Sequence, residues 1–144
     1  MGSTTRPVIV GIDGSGPSER ALAWSIGEAR MRGAPLVAVM CERGGPAGSP
    51  PLRTPAGTPD VELVRKKAEQ VVDVVCEERT EARDVEVRVD AYLGAPSEQL
   101  IRLSDDAQLV VVGARGHDRL SRMFLGSVAS AVTHRAHCPV VVVP

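Results

Sequence analysis

The sequence predicts an α/β fold: a single doubly wound, five-stranded parallel sheet in the order 3-2-1-4-5, with helices on both faces. Three observations predict it. Five short apolar runs of strand length alternate along the chain with stretches of helical apolar period, and such alternation argues for parallel strands joined by helical crossovers. The hydrophobic fraction is 43%, carried mainly by Val, Ala, Leu and Ile, while aromatic residues make up only 2%; that is the composition of a sheet buried under helices. A length of 144 residues suits one domain, 1–144, with its own core.

Pro7-Val8-Ile9-Val10-Gly11-Ile12 is a continuous apolar run and reads as a fully buried first strand. Asp13-Gly14-Ser15-Gly16-Pro17 turns the chain into a helix on which Leu22, Ile26 and Ala29 recur at i, i+4 and i+7, and Gly33 stops it. Leu36 to Cys41 is a second buried strand. Arg43 to Pro59 is rich in Gly and Pro without an apolar period, and is expected as a long mobile loop of the kind that serves as a lid or lacks order. Val61, Val64, Ala68, Val71, Val72 and Val75 mark a long amphipathic helix. Val85, Val87, Val89 and Ala91 alternate with Glu86, Arg88 and Asp90, which predicts a strand with one wet face. Gly94-Ala95-Pro96 leads into a helix around Leu100, Ile101 and Leu103, and Gln108 to Val112 is a fourth, buried strand. A glycine-containing loop, a helix from about Ser127 to Ala136 and a last strand from Pro139 to Val143 complete the chain.

Right-handed crossovers leave few ways to arrange these strands. The first and fourth read as fully buried and suit the centre; the third alternates and suits an edge. In the order 3-2-1-4-5 the winding reverses between strands one and four, and open α/β sheets bind ligands at that switch, beyond the carboxyl ends of the strands. Those ends are Ile12-Asp13 and Val112-Gly113.

Composition narrows the partners. A net charge of -1 with one Trp, one Tyr and one Phe offers neither the basic field nor the stacking platform of a nucleic-acid binder. No apolar run is long enough for a membrane span. Met1 to Arg6 has no apolar core of a secretory signal, and Arg6 breaks the myristoylation pattern. Cys41, Cys76 and Cys138 are odd in number and far apart, which favours free thiols in a reducing, cytoplasmic compartment.

After the fourth strand the chain reads Gly113-Ala114-Arg115-Gly116, then nine residues, then Gly126-Ser127 at a helix start. Glycines allow close backbone approach, and a helix N-terminus offers unpaired N–H groups and partial positive charge; together they suit phosphate. Ser127 is placed to cap the helix or to donate to a phosphate oxygen, and Arg115, Arg119 and Arg122 are placed to screen its charge. Other nucleotide signatures are missing. No Gly-x4-Gly-Lys-Ser/Thr occurs, and Gly11, Gly14 and Gly16 have the wrong spacing for a dinucleotide fingerprint.

The pattern Gly-x2-Gly-x9-Gly-Ser resembles the nucleotide motif of the ATP-binding universal stress proteins. The opening Val10-Gly11-Ile12-Asp13-Gly14-Ser15 is similar to that family's first strand and turn, and Gly126-Ser127-Val128 through Cys138-Pro139-Val140-Val141-Val142-Val143 to its last helix and strand. The resemblance implies an ATP-binding regulatory protein. Asp13 would face the ribose or a bound Mg2+, the backbone at Met40 and Cys41 would read adenine, and Gly113, Gly116, Gly126 and Ser127 would hold the phosphates. Ile12, Ser15, Arg115 and Val128 complete the candidate nucleotide set. Met40 stands where the family commonly has His, and Ala114 and Ala129 where it commonly has Ser.

Simpler roles compete at several positions. Plain turn glycines are the lesser reading of Gly113 and Gly116, and Asp13 also reads as the cap of the first helix. His134, His137 and Cys138 invite a metal reading, yet closed zinc sites need four ligands, and histidines favour helix C-termini on their own account. Trp24 is expected to pack. The last strand, Val140, Val141, Val142 and Val143, is apolar on both faces although the order puts it at an edge, which invites pairing with a second copy; the resemblance implies the same homodimer. Two other readings stay open. One is slow ATP hydrolysis or self-phosphorylation, with Asp13 placing Mg2+ and Ser127 accepting a phosphoryl group. The other is a dimeric interaction module with a vestigial pocket.

Overall fold

A computed structural model of the chain describes residues 5–43, 60–115 and 125–144. The elements run β1 (Val8–Gly11), α1 (Gly16–Arg32), β2 (Leu36–Glu42), α2 (Val61–Glu77), a 3-10 turn (Thr80–Asp84), β3 (Val87–Leu93), α3 (Pro96–Leu103), a second 3-10 turn (Ser104–Asp106), β4 (Leu109–Gly113), α4 (Ser127–Arg135) and β5 (Val140–Val143). All neighbouring strands are parallel in the order β3-β2-β1-β4-β5. This is the topology the alternation predicts.

The central strands bury both faces, and successive side chains divide between two cores. Val8, Val10, Leu36, Ala38, Met40, Leu109 and Val111 pack with Leu22 and Ile26 of α1 and with Val64 and Val72 of α2. Ile9, Val37, Val39, Val110 and Val112 pack with Leu100 and Ile101 of α3 and with Ala129 and Val132 of α4. Each fully buried Leu, Ile or Val contributes roughly 1.5–3 kcal/mol, so these two layers hold the sheet between helix pairs. The four helices begin just beyond the carboxyl ends of the strands, so their N-termini stand around the edge where the winding reverses.

Local signals set the helix ends. Ser15 caps α1, with Pro17 in its first turn, and Gly33 closes it at φ 61, a left-handed conformation that glycine adopts without strain. Trp24 departs from the expectation that it packs: it lies 200° around α1 from Leu22 and Ile26, and is exposed. The third strand begins at Val87 rather than Val85. The preceding 3-10 turn places Ala82 and Val85 against the α1/α2 core, which spends Val85 before the ladder begins. The strand then continues through Tyr92 and Leu93, matching β2 residue for residue from Leu36↔Val87 to Glu42↔Leu93.

Candidate functional site

At the carboxyl end of β1 the backbone continues to Ile12, whose N–H donates to the Val39 carbonyl at 2.9 Å. Asp13 then bends the chain. Its Oδ1 accepts from the Ser15 N–H at 2.9 Å, and its own N–H donates to Ser18 Oγ at 3.2 Å. The helix cap is therefore Ser15, whose Oγ accepts from the Ser18 N–H, and not Asp13. The carboxylate is half-buried at the switch, outside the first turn of α1. Ser18 is the residue that sequence reasoning missed. It is buried, it donates to the Ser15 carbonyl at 3.1 Å, and it fixes the Asp13 turn from below. Its signal was the second serine of Ser15-Gly16-Pro17-Ser18, at the helix position where a capping partner sits.

The β1/β4 register, Val10↔Val111, sets Ile12 beside Gly113 when carried on two places. A Cβ on Gly113 would lie 2.9 Å from the Pro17 carbonyl carbon and 3.0 Å from Pro17 Cβ. The glycine is thus required by the seating of the α1 N-terminus on β4, and that contact brings the Asp13 turn and the glycine loop together. Ala114 donates to the Val143 carbonyl at 2.7 Å, and Gly126 donates to the Ala114 carbonyl at 2.7 Å. The second bond returns the chain to the end of β4, so the start of α4 stands next to Gly113.

Gly126 is the N-cap of α4 and brings no side chain to the helix end; Ser130 N–H reaches its carbonyl at 2.9 Å. Ser127 is the first residue of the helix and exposed, Val128 is half-buried and Ala129 is buried. Ser127 thus sits one place past the cap. The N–H groups of Ser127, Val128 and Ala129 have no acceptor within the helix, and the helix dipole adds partial positive charge there. Arg115 is half-buried on the same loop. Gly116, Arg119, Arg122 and the loop residues 44–59 lie outside the described residues.

Met40 is fully buried in the α1/α2 core, so only its backbone is available to a ligand. Cys41 faces the α3/α4 side. Burial pushes its thiol up to about 12, partly opposed by Arg102 and reinforced by Glu42, which keeps it protonated and unreactive at neutral pH. His134 Nδ1 pairs with the Ser130 carbonyl at 2.8 Å, and His137 Nδ1 with Asp105 Oδ1. Among the described residues no three His, Cys, Asp or Glu side chains converge as a metal site. An open surface pocket of about 380 Å³ lies at the far end of α2, lined by Asp73, Cys76, Glu77, Arg79, Thr80, Ala82 and Arg83. It is on the opposite side of the molecule from the strand switch and mixes charges of both signs.

The arrangement at the switch brings together one carboxylate on a pinned turn, the seat of α1 on Gly113 and a helix N-terminus whose N–H groups suit an anion. No described helix is long and apolar enough to cross a membrane. Comparison with known proteins agrees with this architecture. A universal stress protein of Mycobacterium tuberculosis is 33% identical over 138 residues, covering 94% of this chain and 47% of its own length. The chain thus spans about half the length of the curated relatives it matches. A universal stress protein solved in complex with cAMP superposes with a TM-score of 0.62 at 28% identity, covering 99% of this chain and 98% of that one. The universal stress protein from Archaeoglobus fulgidus in complex with dAMP gives a TM-score of 0.64 at 23% identity over 99% and 100% of the two chains, a likeness of fold. The sequence profile of the universal stress protein family matches residues 4–144. With that match over nearly its whole length, the chain belongs to the universal stress protein family.

Proposed function

We propose that the chain is a nucleotide-dependent regulatory protein of the stress response that binds ATP with Mg2+ at the β1/β4 switch and works as a homodimer through β5. The observation that carries the nucleotide reading is the bond from the Gly126 N–H to the Ala114 carbonyl, which sets the α4 N-terminus against the end of β4. Unpaired N–H groups of a helix start favour a phosphate. The relative solved with cAMP supports an adenine nucleotide as the ligand class. The backbone at Met40 and Cys41 would meet the adenine, and Gly126, Ser127 and Val128 the phosphates. Ile12 and Ser15 hold the Asp13 turn in place, and Arg115 adds positive charge. Asp13 suits a nucleotide-borne Mg2+, because that ion draws most ligands from phosphate and water and needs only one or two carboxylates.

The dimer reading is supported by the outer edge of β5. The ladder to β4 uses the Pro139 and Val143 carbonyls, so the backbone groups of Val140 and Val142 face away from the sheet. Among the described residues nothing bonds to them. Antiparallel pairing of Val140 with Val142 of a second copy, about a two-fold axis at Val141, would satisfy all four groups of each strand.

Isothermal titration with ATP, AMP and cAMP, each with Mg2+ and with chelator, tests the ligand assignment. ATP with Mg2+ is expected to bind most tightly, and Asp13→Asn is expected to remove the Mg2+ dependence while leaving binding of the metal-free nucleotide. Tighter binding of cAMP than of ATP would reassign the site, and no heat with any of the three would exclude it.

A further inference from the structure

The sheet has two edges, and they differ. β3 is the longer edge strand, with seven residues against four in β5. Leu36 N–H donates to the Glu86 carbonyl, and Gly94 N–H to the Glu42 carbonyl. The even-numbered residues of β3 therefore turn their backbone groups to β2, and Val87, Val89, Ala91 and Leu93 turn theirs outward. Four outward residues make β3 the more adhesive edge, since each can pair with an incoming strand. One of these groups is taken. Arg65 reaches down from α2 and donates Nη1 to the Val89 carbonyl at 2.9 Å. Its Nε lies 3.5 Å from Glu62 Oε1, one turn earlier on the same helix. The guanidinium thus stands at the outer edge of β3, held by a carbonyl on one side and a carboxylate on the other.

We propose that Arg65 closes the β3 edge against strand addition, so that pairing of sheet edges is confined to β5 and stops at two chains. The bonded guanidinium occupies the position where an incoming strand would bring its N–H to Val89, and displacing it would leave a charge without its acceptor. By contrast, among the described residues the outward groups of Val140 and Val142 on β5 carry no such guard. A sheet with both edges open would add copies without limit, because β3 of one copy and β5 of the next form a head-to-tail contact that does not close. The limit to two chains rests on the β5 pairing proposed above; the closure of β3 does not.

Sedimentation velocity on the full chain tests this in two backgrounds. One is the wild type. The other carries Val142→Pro, which removes an outward N–H from β5 and leaves its ladder to β4 intact. Arg65→Met keeps an unbranched apolar stem and removes the donors. It is expected to give species larger than the parent in both backgrounds, while Arg65→Lys, which keeps a charged donor, retains the parent distribution. Where Arg65→Met loses its far-UV circular dichroism, Arg65→Gln, shorter and polar, replaces it with the same expectation. Unchanged size in both backgrounds with the fold intact would overturn the proposal, and so would a gain in Arg65→Lys equal to that in Arg65→Met. A Val142→Pro chain that sediments like the wild type would instead remove the β5 dimer, with the Arg65 comparison still standing on its own.

Discussion

Asp13 and Ser15 show how a two-residue difference divides labour at the end of β1. Both residue types cap helices, and both stand near the start of α1. Pro17 settles the matter, because it favours the first turn of a helix and so puts the cap at Ser15. Asp13 is left one turn outside, where Ser15 N–H and Ser18 Oγ hold it. Cys41 is the other residue whose chemistry follows from its position. Its thiol, pushed up to about 12 from an ordinary 9.0 by burial, remains protonated where the unfolded chain ionises. As pH rises from 9 toward 12 the unfolded state releases a proton that the folded state keeps, so stability falls across that window. Urea unfolding at pH 8 and pH 10 is expected to show a smaller loss for Cys41→Ala than for the wild type; an equal loss would mean the thiol is not shielded. The free-cysteine reading was legible from number and spacing alone, and all three thiols are unpaired. The Ser18 contact was not legible, because a buried hydroxyl that pins a turn leaves no periodic trace in sequence.

Among the elements, the seat of α1 on β4 explains Gly113 without reference to any ligand. A side chain there would press on the Pro17 backbone, which cannot rotate away. Gly113→Ala is expected to cost about 1–3 kcal/mol by overpacking, measured as a lower denaturation midpoint, in the absence of nucleotide. A neutral effect would mean that α1 shifts freely. For the same reason a bulky residue at Gly113 tests packing and binding together and separates neither. The strands and helices themselves were legible because period 2 and period 3.6 are written in Val, Leu, Ile and Ala. The start of β3 was misplaced by two residues because Val85 carries the right alternation but serves the 3-10 turn beneath α1 and α2. Such a choice is made by tertiary packing and not by local pattern.

At the scale of the whole molecule, the strand order β3-β2-β1-β4-β5 determines where a ligand can sit. It sends the β1 and β4 crossovers to opposite faces, and open α/β sheets have their crevice where such crossovers part, here at the Asp13 and Gly113 ends of the strands. The order was legible in part: strands one and four read as buried on both faces and suit the centre, and the alternating third suits an edge, whereas β5, apolar on both faces as well, lies at the other edge. The difference between the two edges was not legible, since Arg65 lies 24 residues from Val89 and only the fold brings them together. The central claim is that the α4 N-terminus beside this crevice binds the phosphates of a nucleotide. Its most direct test is the melting temperature of the wild type and of Ser127→Asp, each with and without saturating Mg·ATP. An acidic residue in the first turn of a helix favours the dipole by about 0.3–1 kcal/mol, so the variant alone is expected to melt at or above the wild type. Ligand at a hundred times its dissociation constant adds about 2.7 kcal/mol, a rise of roughly 5–10 °C for a domain of this size. The account predicts that rise in the wild type and its loss in Ser127→Asp, where a carboxylate meets the phosphates. Equal rises in the two proteins, or none in the wild type, would contradict it.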